Sequence, residues 1–170
     1  MTEIYLRHAT EADAGEAWRI LDAARHRMLA AGKRQWSMEY PSPANVEADI
    51  SGRTAMVAVD RSGRILGYCS APLTGEEAYD AIDGCWLTDD GPYLTVHRMA
   101  VAPEALRRGV ASAMMRHLEA YSIEAGMRSI RIDTNYDNEA MLRMLDSLGY
   151  EGCGVVRYAS GERMAFEKRL

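Results

Sequence analysis

The chain has 170 residues, of which 48% are hydrophobic and 26% charged, and this predicts one folded domain over residues 1–170. Its net charge of −5 and isoelectric point near 5.4 argue against a general nucleic-acid-binding protein. Cys69, Cys85 and Cys153 show no metal-ligand spacing, and their odd number argues against a disulfide framework, so we expect buried free thiols and no metal. No signal peptide and no apolar run of about 18 residues is present, which predicts a cytoplasmic protein without a membrane partner.

The first third of the chain predicts one strand and two helices. Residues 4–7 alternate between two faces, as a short strand does. Residues 10–13 resemble a capping box, with Asp in place of the usual Glu, and open a helix that ends near Gly32. A second, shorter helix is predicted over residues 43–51, with Ser42 as its cap. The polar face of the first helix, which we interpret as solvated, carries Arg25, His26 and Arg27.

The middle of the chain predicts a hairpin followed by a long acidic loop. Residues 54–60 and 64–72 read as two strands, and Gly63 supplies the positive φ of the tight turn between them. Residues 73–92 are polar, and a loop of this length inside a compact domain is usually functional or mobile. Its negative charge would attract a cation such as an amine, although a solvated insertion explains it equally well. The acidic and large aromatic side chains are Glu76, Glu77, Tyr79, Asp80, Asp83, Trp86, Asp89 and Asp90.

A strand, a basic loop and a helix then follow one another. Residues 94–101 are rich in β-branched and apolar side chains, and Pro103 ends this strand because proline cannot donate to a sheet ladder. After Gly109 the apolar residues recur every three or four positions as far as residue 125, which predicts a helix. The strand over residues 129–133 should therefore pair in parallel with the strand before the helix.

The end of the chain predicts a last helix and a closing hairpin. An apolar face runs from Met141 to Leu148, and Gly149 ends this helix. Residues 153–159 and 163–168 read as two strands around a Ser-Gly turn. We therefore expect a mixed sheet with helices on both faces.

The turn from the basic loop into the helix has the composition of an anion site. The first turn of a helix presents backbone N–H groups without intrahelical acceptors, and its dipole favours negative charge. Gly109 lets a ligand approach the backbone, Ala111 and Ser112 are small, and Arg107 and Arg108 add positive charge. A plain strand-to-helix turn with two solvated arginines is the alternative.

The same stretch resembles the acyl-CoA-binding signature of the GNAT superfamily of N-acetyltransferases. The pattern is Gln or Arg, two residues, Gly, one residue, then Gly or Ala, and it falls on residues 106–111 with Leu106 in the first position. Residues 138–150 resemble the later Asn-to-Gly-Phe helix of that family, and the resemblance covers roughly residues 54–169. It implies an α/β (α+β) fold with a mixed, mostly antiparallel sheet of six or seven strands, helices on both faces and one parallel strand pair at the CoA site.

The resemblance implies roles for individual residues. Backbone groups of Met99 and Val101 would hold the pantetheine of acetyl-CoA, the co-substrate, and an N–H near Met99 or Ala100 would stabilise the oxyanion. Asn138 would contact CoA or the acceptor, although an N-cap role would be purely local. The pyrophosphate would be bound by the amides of Arg107, Arg108, Gly109, Val110, Ala111 and Ser112.

For proton transfer, the sequence suggests a candidate base but leaves the acid open. His97 is the best candidate base, because it lies on the strand where relatives place a polar group facing the acceptor, and an imidazole titrates near neutral pH. A structural hydrogen bond is the other explanation for it. Many relatives carry a Tyr acid at the position of Leu145, which cannot donate a proton. The acid is therefore another group, Tyr136, Tyr150 or Tyr158, or solvent.

The acceptor predicted from these features is a small primary amine that attacks the thioester directly, and its identity is open. In the resembling fold the early helical region covers the acceptor side, so Trp36 and Tyr40 either line the acceptor pocket or only cover the core. Asp133 is a further candidate contact. A non-catalytic acyl-CoA sensor is one rival function, and a dinucleotide-binding enzyme is another, although the three-glycine fingerprint of the latter is absent. Homodimerisation is left open.

Overall fold

The computed structural model describes residues 2–170 and divides them into two compact units. The first unit comprises the chain up to residue 71 together with residues 97–118, and the second comprises residues 72–96 and 119–170. A single domain over 1–170 stays a prediction. No helix within residues 2–170 is long and apolar enough to cross a membrane. The elements are β1 (Tyr5–His8), α1 (Ala14–Ala30), α2 (Pro43–Ser51), β2 (Ala55–Val59), β3 (Ile65–Ser70), α3 (Glu77–Asp80), β4 (Asp83–Gly84), β5 (Tyr93–Val101), α4 (Val110–Glu124), β6 (Ser129–Thr134), α5 (Glu139–Ser147), β7 (Glu151–Tyr158) and β8 (Gly161–Arg169).

The first unit is built on the antiparallel strand order β1, β2, β3 and the second half of β5. Strands β2 and β3 form the predicted hairpin, and every residue in them is buried. Gly67 of β3 is required by packing, because a Cβ there would lie 2.7 Å from Met114 Sδ and 3.3 Å from Val110 Cγ1 of α4. The missing side chain thus lets the first turns of α4 pack closely on the sheet.

A capping box starts the first helical segment, as predicted. The Asp13 carboxylate accepts hydrogen bonds from the Thr10 N–H at 2.7 Å and from both terminal nitrogens of Arg7, at 2.7 and 3.0 Å. The Arg7 guanidinium contributes most to holding the pKa of Asp13 at about 2. Residues 11–13 form a 3₁₀ turn, α1 follows, and Gly32 with φ of +78° comes just after its end.

Replacing Asp13 by asparagine should remove part of the acid sensitivity of the fold. Because the folded pKa of Asp13 lies below its unfolded value near ~3.9, its stabilisation is present above about pH 4 and is lost as the pH falls towards 2. We expect Asp13→Asn to cost about 1–2 kcal/mol at pH 7, since Arg7 is partly solvent-exposed, and almost nothing at pH 2. Urea unfolding from pH 7 to pH 2 measures this. Glu11→Gln, at an exposed position of the same turn, should follow the wild type, and equal pH slopes for all three proteins would contradict the prediction.

The second unit contains the parallel strand pair that was predicted. The first half of β5 pairs with β6 in register from Tyr93 with Ser129 to Val96 with Ile132. Strands β6, β8, β7 and β4 continue as antiparallel neighbours. Eight strands lie within residues 2–170, where about six or seven were predicted, because the two-residue strand β4 forms within the acidic loop.

That loop, residues 73–92, is anchored rather than a free insertion. Tyr79 is buried in a small core with Val156 and Ala165. The guanidinium of Arg131 lies 4.3 Å from the Trp86 ring centroid and 4.0 Å from that of Tyr93. Tyr79 and Trp86 therefore fix this loop to the sheet.

A buried carboxylate completes this anchoring. Glu167 is fully buried, and its oxygens accept from Ser129 Oγ at 2.6 Å and Arg131 Nε at 3.0 Å. It also accepts from the Leu87 N–H at 2.5 Å and from Thr88 Oγ1 at 2.6 Å, both in the acidic loop. Burial opposes the charged form, but these bonds outweigh it, and the pKa of Glu167 is lowered.

Two of the three free thiols are buried as expected. Cys69 on β3 and Cys153 on β7 are buried, whereas Cys85 is exposed. The expectation for Cys85 was wrong because this residue directly follows the short strand β4, where its N–H bonds the Cys153 carbonyl at 3.0 Å and its side chain remains accessible.

Candidate active site

The connection from β5 to α4 in the first unit has the backbone geometry of an anion site. Arg107 and Gly109 both adopt positive φ, at +60° and +77°. The Ala113 N–H donates to the Gly109 carbonyl at 3.0 Å, so the helix begins directly after this glycine. Leu106 is extended, so the turn into the helix is made with two left-handed residues within three positions. The first-turn amides of α4 add donors that have no intrahelical acceptor.

The same connection is open and carries positive charge. A Cβ on Gly109 would meet no heavy atom within 4 Å. Arg107 and Arg108 are exposed, and Arg108 makes only a long bond, 3.4 Å, to the Glu104 carbonyl. Leu106, which departs from the signature, is 38% exposed and leaves the backbone amides unaffected. Of the six residues predicted to bind pyrophosphate, Arg107, Arg108 and Gly109 are thus exposed, Ala111 and Ser112 are half-buried, and Val110 is buried.

A bulge interrupts the ladder between β3 and β5. Tyr68 pairs with Ala100, but Ser70 pairs with His97, so two residues of β5 lie opposite one residue of β3. Arg98, one of these two, has a φ of +52°. This conformation costs a non-glycine residue of order 1–3 kcal/mol, so the surrounding contacts must hold it. The bulge includes Met99 and lies directly before Ala100 and Val101, the rest of the predicted pantetheine-binding segment.

A buried group of polar side chains, here called the Arg98 cluster, surrounds this bulge. The Arg98 guanidinium donates to Asp49 through Nη2 at 2.6 Å and Nε at 3.1 Å, and through Nη1 to the Tyr40 hydroxyl at 3.0 Å. Asp49 of α2 is only 7% exposed and also accepts from the Tyr68 hydroxyl at 2.5 Å. The cluster consists of Tyr40, Asp49, Tyr68 and Arg98, and it ties α2, β3 and the segment before α2 to the bulge.

The electrostatics of the Arg98 cluster favour one charged pair and neutral neighbours. Burial opposes the charge on Arg98, but the bonds and charge from Asp49 and Tyr40 outweigh it, and the Arg98 pKa is raised. Burial, followed by the Asp49 contacts, raises the pKa of Tyr68. Burial also raises the pKa of Cys69 to about 12, so this thiol stays neutral.

The segment between α1 and α2 is fixed by a residue that was predicted to be solvated. Arg25 is buried, and its Nη1 donates to the Met38 carbonyl at 2.6 Å and the Pro41 carbonyl at 3.3 Å. The prediction was wrong for Arg25 because the carbonyls of a connecting segment can satisfy an arginine on the polar face of a helix. Trp36 is also buried and belongs to the core, whereas Tyr40 is 41% exposed.

A second polar group lies within the second unit. The Asp133 carboxylate, near the end of β6, accepts from the Tyr79 and Tyr158 hydroxyls, each at 2.7 Å. Burial first, and then the charge of Asp133, raises the pKa of both tyrosines. Asn138 caps α5 by accepting from the Met141 N–H at 3.4 Å and also donates to Thr134 Oγ1 at 3.0 Å. Its local capping role is therefore present.

The tyrosines considered as acids differ in accessibility. Leu145 is fully buried on α5, so its position belongs to the core. Tyr150 is 5% exposed, and burial raises its pKa, whereas Tyr136 is 75% exposed. The Tyr158 hydroxyl is already engaged with Asp133. His97 is half-buried on β5 and belongs to the first unit together with residues 99–112 of the predicted CoA site, whereas Asp133 and Asn138 belong to the second unit.

Sequence reasoning missed Gly67, Asp49 and Arg98. A glycine inside a strand signals a bulge or a close approach, so Gly67 could have been found. The partnership of Asp49 with Arg98 joins residues 49 positions apart, and no local periodicity reports it.

Comparison with known proteins agrees with this architecture. A GNAT family acetyltransferase from Streptococcus agalactiae 2603 has 30% identity and a TM-score of 0.89, over 100% of this chain and 98% of that one. A second from Listeria monocytogenes 4b F2365 has 20% identity and a TM-score of 0.77, over 99% and 96%. A ribosomal-protein-alanine N-acetyltransferase from Brucella melitensis has 20% identity and a TM-score of 0.71, over 98% and 99%. The model described as the Acetyltransferase (GNAT) family matches residues 17–150, and the chain belongs to this family of N-acetyltransferase enzymes.

Proposed function

We propose that this enzyme transfers an acetyl group from acetyl-CoA to a primary amine by direct attack of the amine on the thioester. The observation that carries the proposal is the open, amide-rich turn at residues 106–112, with left-handed Arg107 and Gly109. The family generally uses acetyl-CoA, which matches an anion site of this kind. Membership of the acetyltransferase family argues against the dinucleotide-binding alternative.

The proposed CoA contacts lie along the chain from the end of β5 to the first turn of α4. Amides of residues 107–112 bind the pyrophosphate, and backbone groups of Met99 and Val101 bind the pantetheine. A backbone N–H near Met99 or Ala100 stabilises the developing oxyanion, and such a donor typically contributes ~10²–10³ in kcat. Holding the thioester beside the amine removes much of the entropic barrier. Asn138 is a further proposed contact to CoA or the acceptor.

Proton transfer is proposed to involve His97. An amine is protonated near neutral pH and attacks only after losing a proton, either to a side chain or through water. His97 lies on β5 two residues before Met99, and imidazole changes its charge near neutral pH. The leaving thiolate takes its proton from solvent or from a tyrosine, since Leu145 has none to give.

The proposed acceptor is a small primary amine, and we place the enzyme in the cytoplasm. The carboxylate-rich segment of residues 73–92 and the half-buried Asp133 give the second unit the charge that attracts a cation. Free thiols at all three cysteines fit a reducing compartment. The whole chain, residues 1–170, is proposed to act as one catalytic domain, and no metal is required by this chemistry.

A screen of amines tests the proposal. With acetyl-CoA as donor, release of the CoA thiol should rise well above the acceptor-free rate for one or more primary amines. Cationic amines should outperform neutral and acidic ones of similar size, because the carboxylates favour positive charge. A screen in which only neutral or acidic acceptors react would remove the proposed acceptor class. Tight CoA binding without turnover on any amine would instead favour the sensor function.

A further inference from the structure

The bulge of β5 is held by a side chain and not by its own backbone preference. Arg98 adopts a left-handed φ of +52°, where glycine would be the relaxed choice. A charged, long side chain persists at such a position only when its surroundings fix it. The fixing contacts are visible, because the guanidinium fork engages both carboxylate oxygens of Asp49.

The partner of this fork is itself immobilised. The Asp49 side chain is 9% exposed and lies on α2, and it accepts a 2.5 Å bond from the buried Tyr68 hydroxyl of β3. A bidentate arginine–carboxylate pair fixes direction as well as distance. The backbone at Arg98 is therefore set by α2 and β3 together.

The third contact of Arg98 reaches the surface. Its Nη1 donates to the Tyr40 hydroxyl at 3.0 Å, and Tyr40 is partly exposed. The segment that carries Tyr40 is fixed from its other side by Arg25, through the Met38 and Pro41 carbonyls. Arg98 thus links the segment between α1 and α2 to the bulge.

We propose that Arg98 and Asp49 are positioning residues for the pantetheine arm of CoA. The bulge contains Arg98 and Met99 and leads directly to Ala100 and Val101, so a change in the backbone at Arg98 displaces the groups proposed to bind that arm. The inference rests on the proposed CoA site. It adds that the two ends of CoA are held by separate groups. The turn at residues 106–112 holds the nucleotide end through its amides, whereas the hydrogen bonds of the Arg98 cluster join α2, β3 and the segment before α2 to the bulge.

This separation can be measured with two ligands. CoA carries the pantetheine arm, whereas 3′-phospho-ADP is its nucleotide end alone. We expect Arg98→Gly to reduce CoA affinity by about tenfold or more, and to leave 3′-phospho-ADP affinity within about twofold. Glycine removes the fork and widens the accessible backbone conformations, so nothing fixes the bulge in its one conformation. Asp49→Asn should show the same split.

Activity gives a second readout. A displaced thioester should lower kcat by about 10²-fold even at saturating acetyl-CoA, since small misplacements are costly in positioned reactions. Asp13→Asn is the matched control, because it weakens another bidentate arginine–carboxylate contact in the same unit, with a partly exposed arginine. It should leave the CoA to 3′-phospho-ADP affinity ratio unchanged. A ratio that falls equally in both variants means that the effect is general destabilisation, and it overturns the inference.

A milder variant covers the case in which the buried substitutions do not fold. Tyr40→Phe removes one hydroxyl from a partly exposed side chain and should lower only CoA affinity, by about two- to fivefold. If wild type binds neither ligand, the proposed CoA site fails. In another outcome, wild type binds CoA more tightly than 3′-phospho-ADP, and Tyr40→Phe and every folded Arg98 or Asp49 variant keep that full affinity ratio. The positioning role is then wrong, while the proposed function stands.

Discussion

Replacing Gly109 by glutamate is expected to weaken CoA binding by about 100-fold or more, which corresponds to about 2.7 kcal/mol. Gly109 has a φ of +77°, and a Cβ there would meet no heavy atom within 4 Å. The new carboxylate would occupy the position proposed for the pyrophosphate and repel it in a site built for negative charge. Calorimetric titration with CoA measures the effect.

A matched control separates charge from backbone strain. Gly32, just after α1, has nearly the same φ, +78°, and a Cβ there also meets nothing within 4 Å. Gly32→Glu therefore carries the same left-handed cost and the same added charge, and it should retain CoA affinity. Gly109→Ala should lie between wild type and Gly109→Glu, since it adds strain without charge. Undiminished CoA affinity in a folded Gly109→Glu protein would mean that the site lies elsewhere.

Local patterns predicted most of the elements because their causes are local. The helix over residues 43–51 was predicted with the bounds that the structure has, since Ser42 and Pro43 mark its start. The parallel pairing of β5 with β6 also followed, because a helical crossover leaves few alternatives. The turn at Gly109 was predicted from two local features, the glycine itself and the helical spacing of the apolar residues that begins after it.

Contacts between distant residues were not predictable in the same way. The sequence left residues 73–92 open as a functional or mobile loop or a solvated insertion, and it did not indicate that Glu167 and Arg131 anchor that loop from strands more than 40 residues away. Arg25 was predicted to be solvated, and its carbonyl partners become visible only in the folded chain. The Arg98 cluster is of the same kind, since nothing near Arg98 in sequence indicates Asp49.

Replacing His97 by alanine is expected to lower kcat by about 10²–10⁴-fold while CoA affinity changes little, if His97 removes the amine's proton or relays it through water. The defect should shrink as the pH rises, because more of the amine is then neutral before it binds. The measurement is a pH–rate profile of wild type and His97→Ala with one good acceptor, together with a CoA titration of both proteins. The acidic limb of the profile should change in the variant.

The control for this variant is another histidine. His26 is exposed on α1 and its Nδ1 lies 2.8 Å from the Asp22 carbonyl, so His26→Ala should keep the wild-type profile. An unchanged kcat and acidic limb in His97→Ala would make His97 a structural residue. The proton would then have to leave through Asp133, Thr95 or water alone. Of these, Asp133 would be tested next, since the Tyr79 and Tyr158 hydroxyls both donate to one of its carboxylate oxygens and orient it.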